Sequence, residues 1–412
     1  MSERVVVIGG SHGAHSVIET LKREKFRGRL TLISEEKVPL CSPTALPYLL
    51  WERRKEQKFL RPAEFYRDLE VVEGKALFLR PEKGTVVLGN GKKIPYDRLV
   101  IATGASAAGL PIQTSKKSPV LTLRRIDDLI RIEERARRSR NILVVGAGLI
   151  GLHLAQVFLR EKKKVHVIEL KEQVLPGLIP PDLAGSLKDL FEQKGIRISL
   201  GVSLTEIGEK EARLSNGEKI SMDLTIAAIG IRTNLEAVKE TSIAVREGVL
   251  VNERMETNIP CIYACGDVAE YRDFFTGESR LNPNLVSAAE QGSTVAERLL
   301  GKGSPHPGLI SINTFNCFGL NLVSLGRFMP ERGDLFLEEN DPEKRLYKRM
   351  VFRDGRLKGV VFFNTPVDGG IYYRLVRERV PLGGLEEKLL KDPFLWGKWI
   401  GEKTKDHCKM IN

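Results

Sequence analysis

The strongest strand signals in this chain are continuous apolar runs rather than alternating ones. Arg4-Val5-Val6-Val7-Ile8 is such a run, and it ends at Gly9-Gly10-Ser11-His12-Gly13-Ala14. Apolar positions Val17, Ile18 and Leu21 then recur at helical spacing, and Leu30-Thr31-Leu32-Ile33 resumes a strand. A run without alternation suits a parallel strand buried on both faces, so the segment predicts a strand, a tight turn, a helix and a second strand. A proline-rich loop with Pro39, Pro43 and Pro47 follows, and Tyr96–Gly104 predicts a closing strand that ends on Ala102-Thr103-Gly104.

The pattern then restarts. Asn141–Val145 predicts a strand, Gly146-Ala147-Gly148-Leu149-Ile150-Gly151 a turn, and Leu154, Ala155 and Phe158 the buried stripe of a helix. Val165–Glu169 predicts the next strand and Leu224–Gly230 a second closing one. Two such units in one chain are an internal duplication of architecture. Beyond residue 309 the texture changes to short β patterns, and Asp354-Gly355 between Tyr347–Phe352 and Leu357–Phe363 predicts a hairpin.

Composition narrows the class. With 412 residues, 42% hydrophobic and 29% charged, the chain matches a soluble protein of two or three domains, at about 100–200 residues each. The apolar run after Met1 is too short for a secretory leader. No run approaches the ~18 apolar residues of a membrane span. The five cysteines are scattered and odd in number, Cys261 and Cys265 sharing a strand-like run. Such usage fits a reducing cytoplasm and gives no metal site. The net charge of +12 suits anionic nucleotides or an acidic protein partner. The basic run from Arg124 to Arg140 is broken by acids and lacks interleaved aromatics, so it reads as a solvated helix face rather than a nucleic-acid groove.

The turns carry the chemistry. In Gly146-x-Gly148-x-x-Gly151 the first glycine makes the turn, the second admits a pyrophosphate, and the third allows helix–strand packing. The phosphate charge then sits on a helix N-terminus, beside Leu149 and Ile150. Glu169, ending the next strand, can accept hydrogen bonds from a ribose diol and would repel a 2′-phosphate. It favours NAD over NADP, although Lys162, Lys163, Lys164 and Lys171 nearby weaken that preference. The first turn, Gly9-x-Ser11-x-x-Ala14, is degenerate, and its acid is Glu35, one place beyond the simplest register. His12 and His15 flank it, as phosphate contacts or as bystanders. Ile262–Ala269 delivers Gly266-Asp267 at a strand end, where the carboxylate suits a sugar or ribityl hydroxyl. The helix that begins after Asn284, at Leu285 and Val286, can aim its positive dipole end at a flavin carbonyl.

These pieces together resemble the pyridine nucleotide–disulfide oxidoreductases. The resemblance rests on the Gly9 turn, Ala102–Gly104, Gly146–Gly151 with Glu169, Ala228–Asn234 including Gly230, and Ala264–Ala269. It implies an α/β protein with two Rossmann-like dinucleotide-binding domains plus a C-terminal α+β interface domain. FAD would bind residues 1–112 and 244–308, NAD(H) residues 113–243, and residues 309–412 would form the interface domain. It also implies hydride transfer between the cofactors, which carry the chemistry themselves, so no side chain need act as general base. Asp267 would hold the ribityl chain, and Leu285 and Val286 would lie near the flavin pyrimidine.

The departures from the family bear on the acceptor. There is no redox C-x-x-x-x-C, and aligning Leu46-Pro47-Tyr48 puts Thr44 where one branch has its cysteine, with Cys41 three positions early. A threonine cannot cycle through a sulfenate. His153 stands where the family usually has Glu, either near the flavin or in helix packing. The segment Cys41–Tyr48 resembles flavin subunits that exchange electrons between NAD and iron–sulfur partners, including the epsilon subunit of phenylglyoxylate dehydrogenase. The resemblance therefore implies an NADH:acceptor oxidoreductase with a ferredoxin or iron–sulfur protein subunit as partner, in a larger redox complex. The alternatives are a stand-alone NADH oxidase or CoA-disulfide reductase-like enzyme using Cys41, and a non-catalytic FAD-binding subunit. The interface domain implies a homo-oligomer or partner docking.

Overall fold

A computed structural model describes residues 2–38, 40, 42–52, 60–112, 120–395 and 397. It divides into two compact units, Met1–Ile168 with Val202–Leu309, and Glu169–Gly201 with Ile310–Asn412.

The first unit holds both Gly-rich turns. Its first sheet is parallel, in the order Ile262–Ala264, Arg98–Ile101, Arg4–Ile8, Arg29–Ser34, Glu70–Glu73. Val5, Val6 and Val7 are fully buried, as their unbroken apolar run requires. Helix α1, His12–Arg23, follows the first strand and packs on α6, Leu285–Leu299, through Gly13 and Gly292. Between them in sequence come α2, Leu46–Glu52, α3, Ile126–Arg137, and α4, Leu149–Arg160.

The second parallel set runs Lys164–Ile168, Asn141–Val145, Leu224–Ala227, Val120–Thr122. The duplication extends to single atoms. Gly9 N–H donates to Ile33 O at 2.8 Å and Gly146 N–H to Ile168 O at 2.7 Å. Ala102 N–H donates to Ile8 O at 2.8 Å and Ala228 N–H to Val145 O at 2.7 Å. In each half a small antiparallel sheet precedes the closing strand, at residues 76–95 and 204–221. The hydrophobic pattern had not announced these sheets, because their strands are short and half-exposed.

In the second unit, α5, Pro181–Gln193, is followed later by a five-stranded antiparallel sheet. The predicted hairpin is there, with strands Leu346–Arg353 and Arg356–Phe363. Asp354 and Gly355 both have positive φ, 51° and 65°, the backbone that a tight two-residue hairpin loop requires.

One expectation fails. Cys261 and Cys265 do not share a strand, which spans only Ile262–Ala264. Cys261 precedes it with φ 66°, and Cys265 begins the turn after it.

Candidate functional site

The carboxyl ends of the first sheet open into a cleft of about 270 Å³. Gly9, Ser11, Glu35, Ala102, Thr103 and Gly104 line it, six of the residues singled out from the sequence. A smaller hollow of about 70 Å³ shares Ser11, Ala102 and Gly104 with it, and adds His12, Gly13, Thr44, Gly266, Asp267 and Leu285. Ala14 is fully buried beneath the turn and Val286 is half-buried at the start of α6. Cys41 lies outside the described residues.

The turns are built by exclusion. Gly9 has φ 116°, and a Cβ there would stand 2.0 Å from Ala102 O. Gly146 repeats this, with φ 105° and 2.4 Å to Ala228 O. A Cβ on Gly151 would lie 1.9 Å from Gly146 O, so this glycine lets helix and turn touch. A Cβ on Gly148 would meet nothing within 4 Å. Packing does not require that glycine, and the open space above it is what a pyrophosphate approaching a helix N-terminus needs. Leu149 and Ile150, half-buried, open that helix. Gly230, with φ 110°, leaves the second closing strand exposed. Glu169 follows the last residue of Lys164–Ile168 and accepts from Lys171 N–H at 2.9 Å.

Ser11 caps α1 through its carbonyl, which accepts from His15 N–H at 3.0 Å; its hydroxyl makes no capping bond. His15 is a packing residue. Its Nδ1 is 3.0 Å from Ser11 O and its Nε2 2.6 Å from Tyr66 Oη. Burial holds it neutral, lowering its pKa to about 4. His12 instead faces the smaller hollow, with Nε2 2.8 Å from Ser42 Oγ, and burial lowers its pKa too. His153 is buried in α4 and meets Tyr48 edge-on at 4.5 Å between ring centroids. Burial lowers it to about 4.

Two arginines that the sequence placed on a solvated face turn into the cleft instead. Arg124 and Arg125 precede α3, where Asp128 accepts from both backbone N–H groups at 2.9 and 3.0 Å. Arg124 Nη2 reaches Asp267 Oδ2 at 2.6 Å, and Arg125 Nη2 reaches Glu35 Oε2 at 2.9 Å. The rest of the run behaves as expected, α3 burying only Leu129, Ile132 and Ala136. The two ion pairs span 143 and 90 residues, so no local pattern could have shown them.

Other supports were also missed. Gln291, buried in α6, accepts from Gly266 N–H at 2.6 Å and fixes the turn that carries Asp267. Asn234 ties the closing strand to its neighbour, donating to Thr103 O at 2.8 Å and accepting from Ser106 Oγ at 2.7 Å. Asn284 caps α6 by accepting from Ser287 N–H at 2.8 Å.

The arrangement fits a dinucleotide. Two glycine turns each open a helix N-terminus, of α1 and α4, and Glu35 and Asp267 stand at or just beyond strand ends. The only thiol lining the smaller hollow among the described residues is that of Cys265, which is buried, with its pKa pushed up to about 12. Among the described residues no cluster of three metal-ligating side chains occurs, and no helix is long and apolar enough to cross a membrane.

Comparison with known proteins agrees. Residues 3–293 match the family described as pyridine nucleotide-disulphide oxidoreductase. The chain is 27% identical, over 97% of its length and 98% of the relative's, to the NADH-dependent phenylglyoxylate dehydrogenase subunit epsilon of Aromatoleum evansii. It is 31% identical to an NADH oxidase of Methanocaldococcus jannaschii, over 72% of this chain and 70% of the relative. The ferredoxin reductase for the CYP199A2 system of Rhodopseudomonas palustris superposes with a TM-score of 0.81 at 26% identity, covering 88% of this chain and 91% of that one.

Proposed function

The chain belongs to the pyridine nucleotide-disulphide oxidoreductase family and is an oxidoreductase that uses FAD and NAD(H); from that premise we propose that it passes electrons between NAD(H) and an iron–sulfur protein. The observation that carries this reading is the chemistry of the smaller hollow. Its wall presents the Thr44 hydroxyl, and its one described thiol, Cys265, stays protonated with a pKa near 12. A protonated thiol is not a nucleophile, and a hydroxyl cannot store electrons. The electrons then leave to an external acceptor.

FAD would be held by residues 1–112 and 244–308. Its pyrophosphate would lie on the Gly9–Ala14 turn, Glu35 and Asp267 would accept from sugar and ribityl hydroxyls, and Arg124 and Arg125 would hold those carboxylates in place. NAD(H) would be held by residues 113–243, on Gly146–Gly151 with Glu169 at the ribose. The chemistry that bound FAD supplies there is two-electron uptake from NADH and release of electrons one at a time. The protein's own work is to bind, orient and shield.

The relative in Aromatoleum evansii, matched over nearly its whole length and named as a dehydrogenase subunit, supports a place in a multisubunit redox complex. The net charge of +12 suits an acidic partner surface. Residues 309–412 would supply docking or self-association. An anaerobic NADH titration followed by addition of a ferredoxin tests the reading: bleached flavin should recover its absorbance on addition of the carrier.

A second reading is a stand-alone NADH oxidase or CoA-disulfide reductase-like enzyme using Cys41, favoured by the 31% identical NADH oxidase. Loss of oxygen or disulfide turnover in Cys41→Ser would support it.

A further inference from the structure

Two basic segments meet at one edge of the second parallel sheet. The last turn of α3 and the chain after it carry Arg135, Arg137, Arg138 and Arg140, and α4 ends on Arg160 and runs into Lys162, Lys163 and Lys164. Pairing of Asn141 with Lys164 across neighbouring strands brings the two together. Lys163 Nζ closes the junction, donating to Ala136 O and Ser139 O, both at 2.7 Å. That single ammonium answers the carbonyl end of α3, so the arginines are surplus to capping. Arg131, Arg135, Arg137, Arg138, Lys162 and Lys164 are exposed, and among the described residues none of them pairs with an acid. The acids within these stretches are Glu133, Glu134 and Glu161. Asp223, at their border, is taken up by Arg140 N–H, Asn141 N–H and Lys210.

A surface of one sign repels itself until an anionic partner covers it. Two features say what kind of partner fits. Residues 126–140 and 160–164 contain no aromatic side chain on which a base could stack. At the middle of the exposed face of α3 stands Ile130, 39% exposed, with Glu134 one turn on and Arg131, Arg137 and Arg138 beside it. An apolar contact rimmed by arginines is the anatomy of a protein interface, and an acid in its midst disfavours a run of phosphates. Guanidinium forks match carboxylates two bonds at a time. The face therefore fits a protein that presents Asp and Glu around an apolar spot.

Resting on the acceptor reading above, we infer that the exposed face of α3, with the end of α4, is the docking surface for the acidic face of the iron–sulfur protein. Its position suits that role. Arg124 and Arg125, which reach Asp267 and Glu35 in the cofactor cleft, directly precede α3. The 12 residues of α3 span about 18 Å, and a small domain is about 30 Å across. A partner whose acids seat on Arg135 and Arg138 covers Ile130 and extends back along the helix towards the cleft.

The test uses the complete FAD-loaded protein, turning over NADH without oxygen against increasing amounts of an acidic [2Fe–2S] ferredoxin, at low and high salt. Arg135→Glu with Arg138→Glu should raise KM for the ferredoxin roughly tenfold at low salt and flatten its salt dependence. Bleaching by NADH and reoxidation by a neutral quinone should stay as in wild type. Lys92→Glu with Lys93→Glu makes the same change of net charge on exposed lysines of the small sheet at 76–95, and its KM should stay close to wild type. Arg135→Gln with Arg138→Gln asks the same question if the glutamates unsettle the end of α3. A KM that ignores the α3 variants, or that rises equally in the Lys92 and Lys93 variant, overturns the docking surface. So does an unchanged KM joined to loss of double-stranded DNA binding in the α3 variants, which would assign the face to nucleic acid. Wild type that the quinone reoxidises and the ferredoxin does not would sink the acceptor reading itself, and the docking with it.

Discussion

Arg124 and Asp267, 143 residues apart, meet across the cofactor cleft at 2.6 Å, with 25% and 16% of their side chains exposed. The pair joins the segment before α3 to the turn after Ile262–Ala264. Arg124 also donates from Nε to Ala105 O at 2.9 Å, so the guanidinium is held at two points. Asp267 is thereby held in one orientation at the wall of the smaller hollow.

Arg124→Ala should weaken FAD retention more than it weakens the fold. A hydrogen bond to a charged group contributes about 1.5–3 kcal/mol, or roughly 10- to 100-fold in affinity if it acts through the bound cofactor. Absorbance of protein-bound FAD after dilution measures it. Retention equal to wild type would show that the pair serves the fold alone.

The second turn separates a packing glycine from a ligand glycine. Gly151→Ala must push a Cβ into Gly146 O, 1.9 Å away, and overpacking of this kind costs about 1–3 kcal/mol. Gly148→Ala meets open space, so its melting temperature should stay close to wild type while KM for NADH rises ~10-fold or more, since each tenfold is about 1.4 kcal/mol. Melting curves and NADH kinetics on the two variants check both halves. A wild-type KM in Gly148→Ala would remove the pyrophosphate from this turn.

Glu169→Ala should reduce the preference for NADH over NADPH. Losing the charged acceptor for a ribose diol costs about 1.5–3 kcal/mol, and the repulsion of a 2′-phosphate goes with it. The ratio of the two kcat/KM values should fall at least ~10-fold. An unchanged ratio would place the discrimination elsewhere.

Acid should destabilise the protein through its buried histidines. His15, His153 and His306 have folded values near 4 against an ordinary 6.5, lowered by burial. Between those values the unfolded chain binds protons that the native chain refuses. Stability therefore falls as pH drops from about 6.5 towards 4, by up to roughly 3 kcal/mol per histidine, and is unaffected by these groups above that window. His153→Phe keeps a ring against Tyr48 and removes one titrating group, so its melting temperature should fall less steeply with acid. An identical slope would contradict the assignment.

What could be read in advance follows from the range of the interactions. Buried parallel strands declare themselves by unbroken apolar runs, as Val5–Ile8 and Ile142–Val145 do. Gly146 and Gly151 constrain each other within six positions, so their spacing is a local signal. Asp354-Gly355 is local too. Arg124, Arg125, Gln291 and Asn234 act across 25 to 143 residues, and only the folded sheet decides what they meet. A basic run looks alike whether it faces water or a carboxylate across a cleft. The His12–Ser42 contact was hidden for the same reason, since 30 residues separate its members.

In the proposed function, electrons taken from NADH leave singly to an iron–sulfur protein. The most direct measurement is an anaerobic NADH titration of the FAD-loaded protein, followed by rapid mixing with a ferredoxin and, separately, with oxygen. Full bleaching by NADH, fast recovery with the ferredoxin and slow recovery with oxygen are the expected results. Fast recovery with oxygen and none with the ferredoxin, or flavin that NADH does not bleach, would contradict the proposed function.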